Sequence, residues 1–171
     1  MEIELPKRKR PHLKDYDYSS EGAYFVTICV QNRKKLLSRV VGRGLAPAEI
    51  EYTKVGQIAK RQLLLLEERY SFLQIDKYVI MPDHIHAIII FDEKTAEASP
   101  RPTLFDVICA YKSLTTRECK KIYPIDKLFQ TSFVEHIIRN QEDYNDRARY
   151  IEENPLRWLM KKHSAENNKN L

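Results

Sequence analysis

Two strand-like segments separated by only two residues constrain the fold of this chain more than any other feature. Ile75–Met81 and His84–Phe91 are rich in β-branched and apolar residues, as β-strands are, and Pro82 and Asp83 lie between them. A connection this short is typical of a β-hairpin, because tight turns can join antiparallel strands. The sequence therefore predicts an antiparallel sheet that contains this hairpin.

Further strand and helix signals flank the hairpin on both sides. Tyr24–Val30 and Ser132–Arg139 have the same β-branched and aromatic character. The segment 31–52, which follows the first of these strands, is predicted to be a loop. Thr53 can cap one helix and Thr103 a second, since apolar residues recur at helical spacing after each threonine. The order β-α-β-β-α-β predicts an α+β protein of ferredoxin-like fold, an antiparallel sheet with helices packed on it.

An added helix is predicted after the last strand. Asn140 with Asp143 three residues later resembles a capping arrangement, and the helix that follows carries Tyr144 and Tyr150. We expect this helix to end before Pro155, because the residue that precedes a proline is driven out of the helical region. The prediction therefore places Tyr150 near the C-terminal end of the helix.

Length and composition predict one folded domain. With 171 residues, 43% of them hydrophobic, the chain can bury one core and is too short for two ordinary domains. We assign 1–20 to a basic N-terminal arm, 21–160 to the domain and 161–171 to a polar tail. The three cysteines lack CxxC spacing and no apolar run reaches the length of a membrane span. We therefore expect a cytoplasmic protein without disulfides or membrane contact.

The positive charge of the chain is clustered. Lysine and arginine number 29 against 24 acidic residues, a formal charge of +5, and four basic residues are consecutive in the N-terminal arm. Clustering favours contact with the phosphates of nucleic acid, although a solvated helix face would explain the charges on the second helix equally well. The candidate phosphate contacts are Lys7, Arg8, Lys9, Arg10, Lys112 and Arg117.

Two histidines at the start of a strand form a candidate metal half-site. His84 and His86 flank Ile85, so the alternation of a strand sends both imidazoles to one face of the sheet and Ile85 to the other. Neutral imidazoles side by side can bind a metal ion. Two partly exposed sheet histidines are the alternative interpretation, and the pair alone does not decide between the two.

Tyr150 is a candidate nucleophile. A tyrosine hydroxyl can attack phosphorus once its proton is removed. However, the chain has ten tyrosines, and a helical tyrosine most often serves by packing its ring. A catalytic role for Tyr150 therefore depends on which residues lie near it.

Five short motifs together resemble one known family. They are Tyr18-Ser19, Tyr24–Ile28 (YFVTI), Met81–His86 (MPDHIH), Glu135–Arg139 (EHIIR) and Tyr150-Ile151 with Asn154-Pro155 (YIxxNP). This combination, spread over most of the chain, resembles the REP-associated tyrosine transposases, which are HUH endonucleases, named for two histidines that flank a hydrophobic residue. Two positions depart from the family pattern, since Asp83 stands where asparagine is common and Phe129 where tryptophan is usual.

The resemblance implies a metal-dependent reaction on DNA. Tyr150 would attack a scissile phosphate in single-stranded DNA, leaving a 5′-phosphotyrosine and a free 3′-hydroxyl. His84 and His86 would be the metal pair, and such ligands suit Mg²⁺ or Mn²⁺. From its spacing, four residues after Tyr150 and so on the same helix face, we expect Asn154 to supply a third ligand through its amide oxygen. Pro155 argues equally for a capping role of Asn154 at the helix end. The implied partner is single-stranded or hairpin DNA from palindromic repeats, bound by a monomer or a homodimer.

Two other functions remain open from the sequence. The same element order builds non-catalytic modules that bind single-stranded nucleic acid by stacking bases on strand aromatics. His84–Phe91 (HIHAIIIF) lacks the Gly-aromatic pattern of those modules. A degenerate transposase relative would bind its repeat without cutting it. Formation of a covalent protein–DNA adduct distinguishes the enzyme from both.

Overall fold

The computed structural model describes residues 17–42, 47–92 and 101–167. The predicted phosphate contacts of the N-terminal arm, Lys7, Arg8, Lys9 and Arg10, lie outside these ranges. The strands are β1 (Gly22–Cys29), β2 (Ser38–Val41), β3 (Glu49–Tyr52), β4 (Leu73–Ile80), β5 (His84–Phe91) and β6 (Val134–Ile138). The helices are α1 (Lys54–Arg69), α2 (Leu104–Lys120) and α3 (Gln141–Asn167).

Four of the strands form one antiparallel sheet in the order β4-β5-β1-β6. β4 and β5 are the predicted hairpin. β5 also pairs with β1, so that Cys29 lies opposite His84 and Thr27 opposite His86. Since α1 precedes the hairpin and α2 follows it, this strand order is the ferredoxin-like arrangement, and the predicted fold is confirmed.

α1 and α2 cover one face of the sheet. Their apolar side chains and those of alternate strand residues form the main core, in which Tyr24 and Tyr111 are fully buried. Both helices begin at the predicted caps. Thr53 caps α1 and Thr103 caps α2, each accepting a hydrogen bond from a backbone N–H of the first turn. The sequence signals for these two helices are therefore confirmed at their starts.

α3 and a small hairpin cover the opposite face. β2 and β3 pair as a separate two-stranded sheet within the segment predicted as a loop, so that prediction is wrong. Each of these strands is only four residues long, too short for a clear alternation. The second core lies between α3 and the sheet, and its members include Phe25, Val79, Ile88, Ala148 and Ile151.

The sequence predicts that α3 ends before Pro155, and this prediction is wrong. The helix continues through Pro155 to Asn167. Pro155 cannot donate a hydrogen bond to the carbonyl of Ile151, which weakens the helix at this point. Trp158 and Leu159, in the next turn, pack against the second core, and this contact offsets the loss. No helix of the described residues, α3 included, is both long and apolar enough to cross a membrane.

Gly56 of α1 lies directly against the backbone of Leu37, in the segment before β2. A Cβ atom at position 56 would lie 1.8 Å from the carbonyl oxygen of Leu37. Gly56→Ala is therefore expected to lower the free energy of unfolding by about 1–3 kcal/mol, because the Leu37 backbone must move. The measurement is urea unfolding, with the exposed neighbour Gln57→Ala as a matched control that leaves stability unchanged or slightly raised. Equal stability of the two variants would contradict this contact.

Candidate active site

A cleft opens where the first residues of β5 meet α3. Its volume is about 660 Å³. The predicted functional residues His84, His86, Tyr150 and Asn154 all line it. They come from two elements that are far apart in sequence, and the packing of α3 on the sheet brings them together.

The two imidazoles stand next to each other on the α3 face of the sheet. Their ring centroids are 4.6 Å apart, and both side chains are buried. Ile85, between them in sequence, points into the main core instead. The predicted alternation is thus confirmed, and the alternative of two partly exposed histidines is not what the structure contains.

One ring nitrogen of His86 is hydrogen-bonded, and the other has no hydrogen-bond partner among the described residues. Nδ1 lies 2.8 Å from the Thr27 hydroxyl, whereas Nε2 is buried and has no hydrogen-bond partner among the described residues. Burial lowers the pKa of His86 to about 3, and the nearby His84 and Arg33 act in the same direction. The ring is therefore neutral near pH 7. With its proton on Nδ1 toward Thr27, it keeps a lone pair on Nε2 for a ligand.

His84 is held from two sides. Its Nδ1 lies 2.5 Å from Asp83 Oδ1, and the side chain of Asn154 hydrogen-bonds the same ring. Burial lowers the pKa of His84, although the Asp83 carboxylate acts in the opposite direction. The other oxygen of Asp83 lies 3.2 Å from Arg33 Nε, so the carboxylate is shared between a histidine and an arginine.

Tyr150 lies over the second imidazole. Its ring centroid is 5.1 Å from that of His86 and 6.0 Å from that of Phe25, and 38% of the residue is exposed. Ile151, the next residue of α3, is buried in the second core and fixes this orientation. Because α3 continues through Pro155, Asn154 sits one turn after Tyr150 on the same side of the helix and is itself buried.

Several residues of the cleft were not predicted from the sequence. Thr27 holds His86 through a strand pairing that no local pattern reveals. Arg33 reaches Asp83 from a turn in which Asn32 and Arg33 have φ of 55° and 54°, the left-handed region. Arg157, in contrast, recurs one helical turn after Asn154. Its helical spacing from Tyr150 and Asn154 is the sequence signal for it, and this signal applies only when α3 continues through Pro155.

The predicted phosphate contacts on α2 lie outside this cleft. Lys112 Nζ donates to the carbonyl oxygens of Gln130, Thr131 and Ser132, at 3.1, 3.2 and 3.1 Å. These bonds occupy all three of its donors, and burial lowers its pKa to about 8. Arg117 is exposed to solvent. Contact of Lys112 and Arg117 with DNA stays a prediction. Lys112 would have to break one of its hydrogen bonds to these carbonyl oxygens before it could donate to a phosphate.

The donor atoms in the cleft fit a divalent metal ion. The cleft contains two imidazoles and the amide of Asn154. Nε2 of His86 is buried without a partner among the described residues, whereas the Asn154 side chain hydrogen-bonds the His84 ring and would have to exchange that bond for a metal ion. Among the described residues, no group of three or more histidines, cysteines or carboxylates could hold a metal. Three protein donors of this kind leave coordination positions open for water and phosphate, as in a catalytic rather than a closed structural site.

Comparison with known proteins gives relatives across most of the chain, although no family model matches it. A REP-associated tyrosine transposase of Escherichia coli is 25% identical over 83% of this chain and 72% of its own length. An uncharacterized protein of Haemophilus influenzae is 28% identical over 88% of this chain and 89% of its own length. A solved REP-associated tyrosine transposase bound to a REP hairpin superposes with a TM-score of 0.60 and 22% identity, covering 85% of this chain and 73% of that one.

The chain has the fold of a REP-associated tyrosine transposase. The resemblance inferred from the sequence motifs is therefore confirmed, in sequence by a curated transposase and in fold by a solved one. The likeness to the solved transposase, at 22% identity, is a likeness of fold.

The lowered pKa of His86 has a measurable effect on stability. Between about pH 3 and pH 6.5 the unfolded chain binds a proton at this residue and the folded chain does not. The free energy of unfolding should therefore rise with pH in this window, by up to about 1.4 kcal/mol per pH unit from His86. In urea unfolding, His86→Gln should show a weaker rise in stability between pH 5 and pH 7 than the unsubstituted protein. Equal pH dependence of the two proteins would contradict a buried neutral His86.

Proposed function

We propose that this chain is a metal-dependent endonuclease and strand transferase for single-stranded DNA that forms a 5′-phosphotyrosine intermediate. The observation that carries the proposal is the position of Tyr150 beside His86, whose buried Nε2 has no partner among the described residues. The similarity to a REP-associated tyrosine transposase supports a DNA-binding, transposase-like role. The solved transposase bound to a REP hairpin supports hairpin DNA as the partner.

In the proposed reaction, the Tyr150 hydroxyl attacks the phosphorus of a DNA phosphodiester. A bond forms between the phenolic oxygen and phosphorus, and the bond from phosphorus to the 3′ oxygen of the preceding nucleotide breaks. The phenolic proton is lost to solvent, and the departing 3′ oxygen takes one up. One phosphate ester replaces another, so the intermediate can transfer to a new 3′-hydroxyl without a nucleotide cofactor.

The residues around the imidazoles prepare them to hold a metal ion. His84, His86 and Asn154 would bind Mg²⁺ or Mn²⁺, which when bound supplies charge neutralisation at the phosphate. Thr27 and Asp83 hydrogen-bond one ring each, so they orient the histidines. Such second-layer hydrogen bonds fix ring orientation and raise ligand basicity.

Basic and aromatic residues at the rim of the cleft suit a DNA strand. Arg157 Cζ lies 5.8 Å from the ring centre of Tyr150, and Arg33 and Lys161 also line the cleft. Cations near a nucleophile offset the repulsion between a phenolate and a phosphodiester. Trp158 is half-buried in the same wall with Lys35 Nζ 5.7 Å from its ring centre, so an unpaired base that stacks on this ring would displace the lysine.

The proposed reaction does not require a second copy of the chain. Tyr150, His84, His86 and Asn154 line one cleft within a single chain. A monomer therefore suffices for cleavage, and a homodimer would be needed only to join strands from two sites.

Tyr150→Phe is expected to abolish covalent adduct formation while leaving DNA binding within about twofold, because only the hydroxyl is lost. The assay is incubation of a palindromic-repeat oligonucleotide with Mn²⁺ or Mg²⁺, followed by denaturing electrophoresis. Tyr144→Phe is the matched control. This substitution also removes a tyrosine hydroxyl from α3, but that hydroxyl lies outside the cleft and donates to Asp76 Oδ2 at 2.6 Å. The Tyr144→Phe protein should still form the adduct.

Three outcomes bear on this proposal. An adduct that persists in Tyr150→Phe would exclude this residue as the nucleophile. An adduct that forms equally well in the presence of a chelator would exclude the metal. Tight binding to the oligonucleotide with no adduct under any metal condition would favour the alternative, a non-catalytic single-stranded nucleic-acid-binding module.

A further inference from the structure

A second, basic groove lies between α2 and the segment that leads to β6. Its volume is about 450 Å³. It is lined by Lys112, Arg117, Lys120 and Lys127, against a single carboxylate, Asp126. A concave surface with this excess of positive charge attracts a polyanion.

Three of the four cations face solvent, and one of these, Lys127, donates a hydrogen bond from Nζ to the Thr131 hydroxyl at 2.6 Å. Arg117, Lys120 and Lys127 are exposed. Among the described residues, no ion pair involves Lys120 or Lys127, and Arg117 Nε is 3.8 Å from the nearest oxygen of Glu118. Lys112 plays a different part, since its bonds to the carbonyls of 130–132 hold the groove wall against α2. The groove is therefore a built surface, and its charge is largely uncompensated.

The groove adjoins the candidate active site. Its wall is attached to the end of β1, since Gln130 N donates to Cys29 O at 2.9 Å and Phe129 forms a β-bridge with Val30. Thr131 lines the groove and Val134 lines the cleft. The three residue steps between them span at most about 10 Å. The groove and the cleft therefore lie on opposite faces of the sheet, on either side of the start of its edge strand, β6.

We propose that this groove binds the single-stranded DNA that continues from the phosphate held in the cleft, with Arg117, Lys120 and Lys127 contacting its backbone phosphates. The proposal rests on the proposed function and extends it, because it gives the path of the strand beyond the reacting phosphate. The strand would pass over the start of β6 and run along α2. Contacts of this kind add affinity without base specificity.

The test compares two oligonucleotides in fluorescence anisotropy over a series of salt concentrations. One has about 6 nucleotides and can fill only the cleft, and the other has about 20 and can reach the groove. The variant is the triple substitution Arg117→Gln, Lys120→Gln and Lys127→Gln. The charge-matched control is Lys54→Gln, Lys60→Gln and Arg69→Gln, on α1, which lines neither surface.

The groove variant should bind the long oligonucleotide on the order of 10- to 50-fold more weakly. The slope of log affinity against log salt concentration should become less steep by about 2, since each of the three lost phosphate contacts contributes about 0.7. Its affinity for the short oligonucleotide should change by less than about twofold, and the control should match the unsubstituted protein. Unchanged binding of the long oligonucleotide, or equal losses for both lengths or in the control, would overturn the proposal. Adduct formation, assayed separately, tests the proposed function, so either proposal can fail while the other stands.

Discussion

The packing of α3 against the sheet is the interaction on which the candidate active site depends. Ala148 and Ile151 are buried against Phe25 and Ile88, and burial of a side chain such as Ile151 contributes about 1.5–3 kcal/mol. These two residues flank the turn of helix that carries Tyr150. Tyr150 therefore lies beside the imidazoles because its neighbours Ala148 and Ile151 are apolar and face the sheet. A polar residue at position 151 would separate Tyr150 from the histidines without touching either.

The sheet could be predicted from the sequence because its signals are local. The two-residue connection between Ile75–Met81 and His84–Phe91 indicates the central hairpin, and the alternation of β5 determines that both histidines share a face. The threonine caps at positions 53 and 103 are equally local, since the side chain bonds a backbone group within the first turn. The two histidines of the cleft followed from these patterns, whereas the motifs were needed to select Tyr150 among ten tyrosines.

The remaining features depend on contacts between distant residues. Pro155 would end an isolated helix, but the packing of Trp158 and Leu159 continues α3 and so keeps Asn154 in its helical position. Thr27 meets His86 through a register set by the whole β1–β5 ladder. In sequence Lys112 is a candidate for either phosphate contact or a solvated helix face, and in the structure it donates to the carbonyls of Gln130, Thr131 and Ser132. Single-residue patterns carry no information about such partners.

The most direct test of the account is the coordination of Mn²⁺ by the protein in the absence of DNA. Electron spin echo measurements detect the nuclei bound to the ion, and the account predicts coupling to two imidazole nitrogens. That coupling should be lost in His84→Ala with His86→Ala, while Asn154→Ala should weaken Mn²⁺ binding and keep both nitrogens. Mn²⁺ bound without nitrogen coupling, or bound equally well by the double variant, would contradict a metal ion held beside Tyr150.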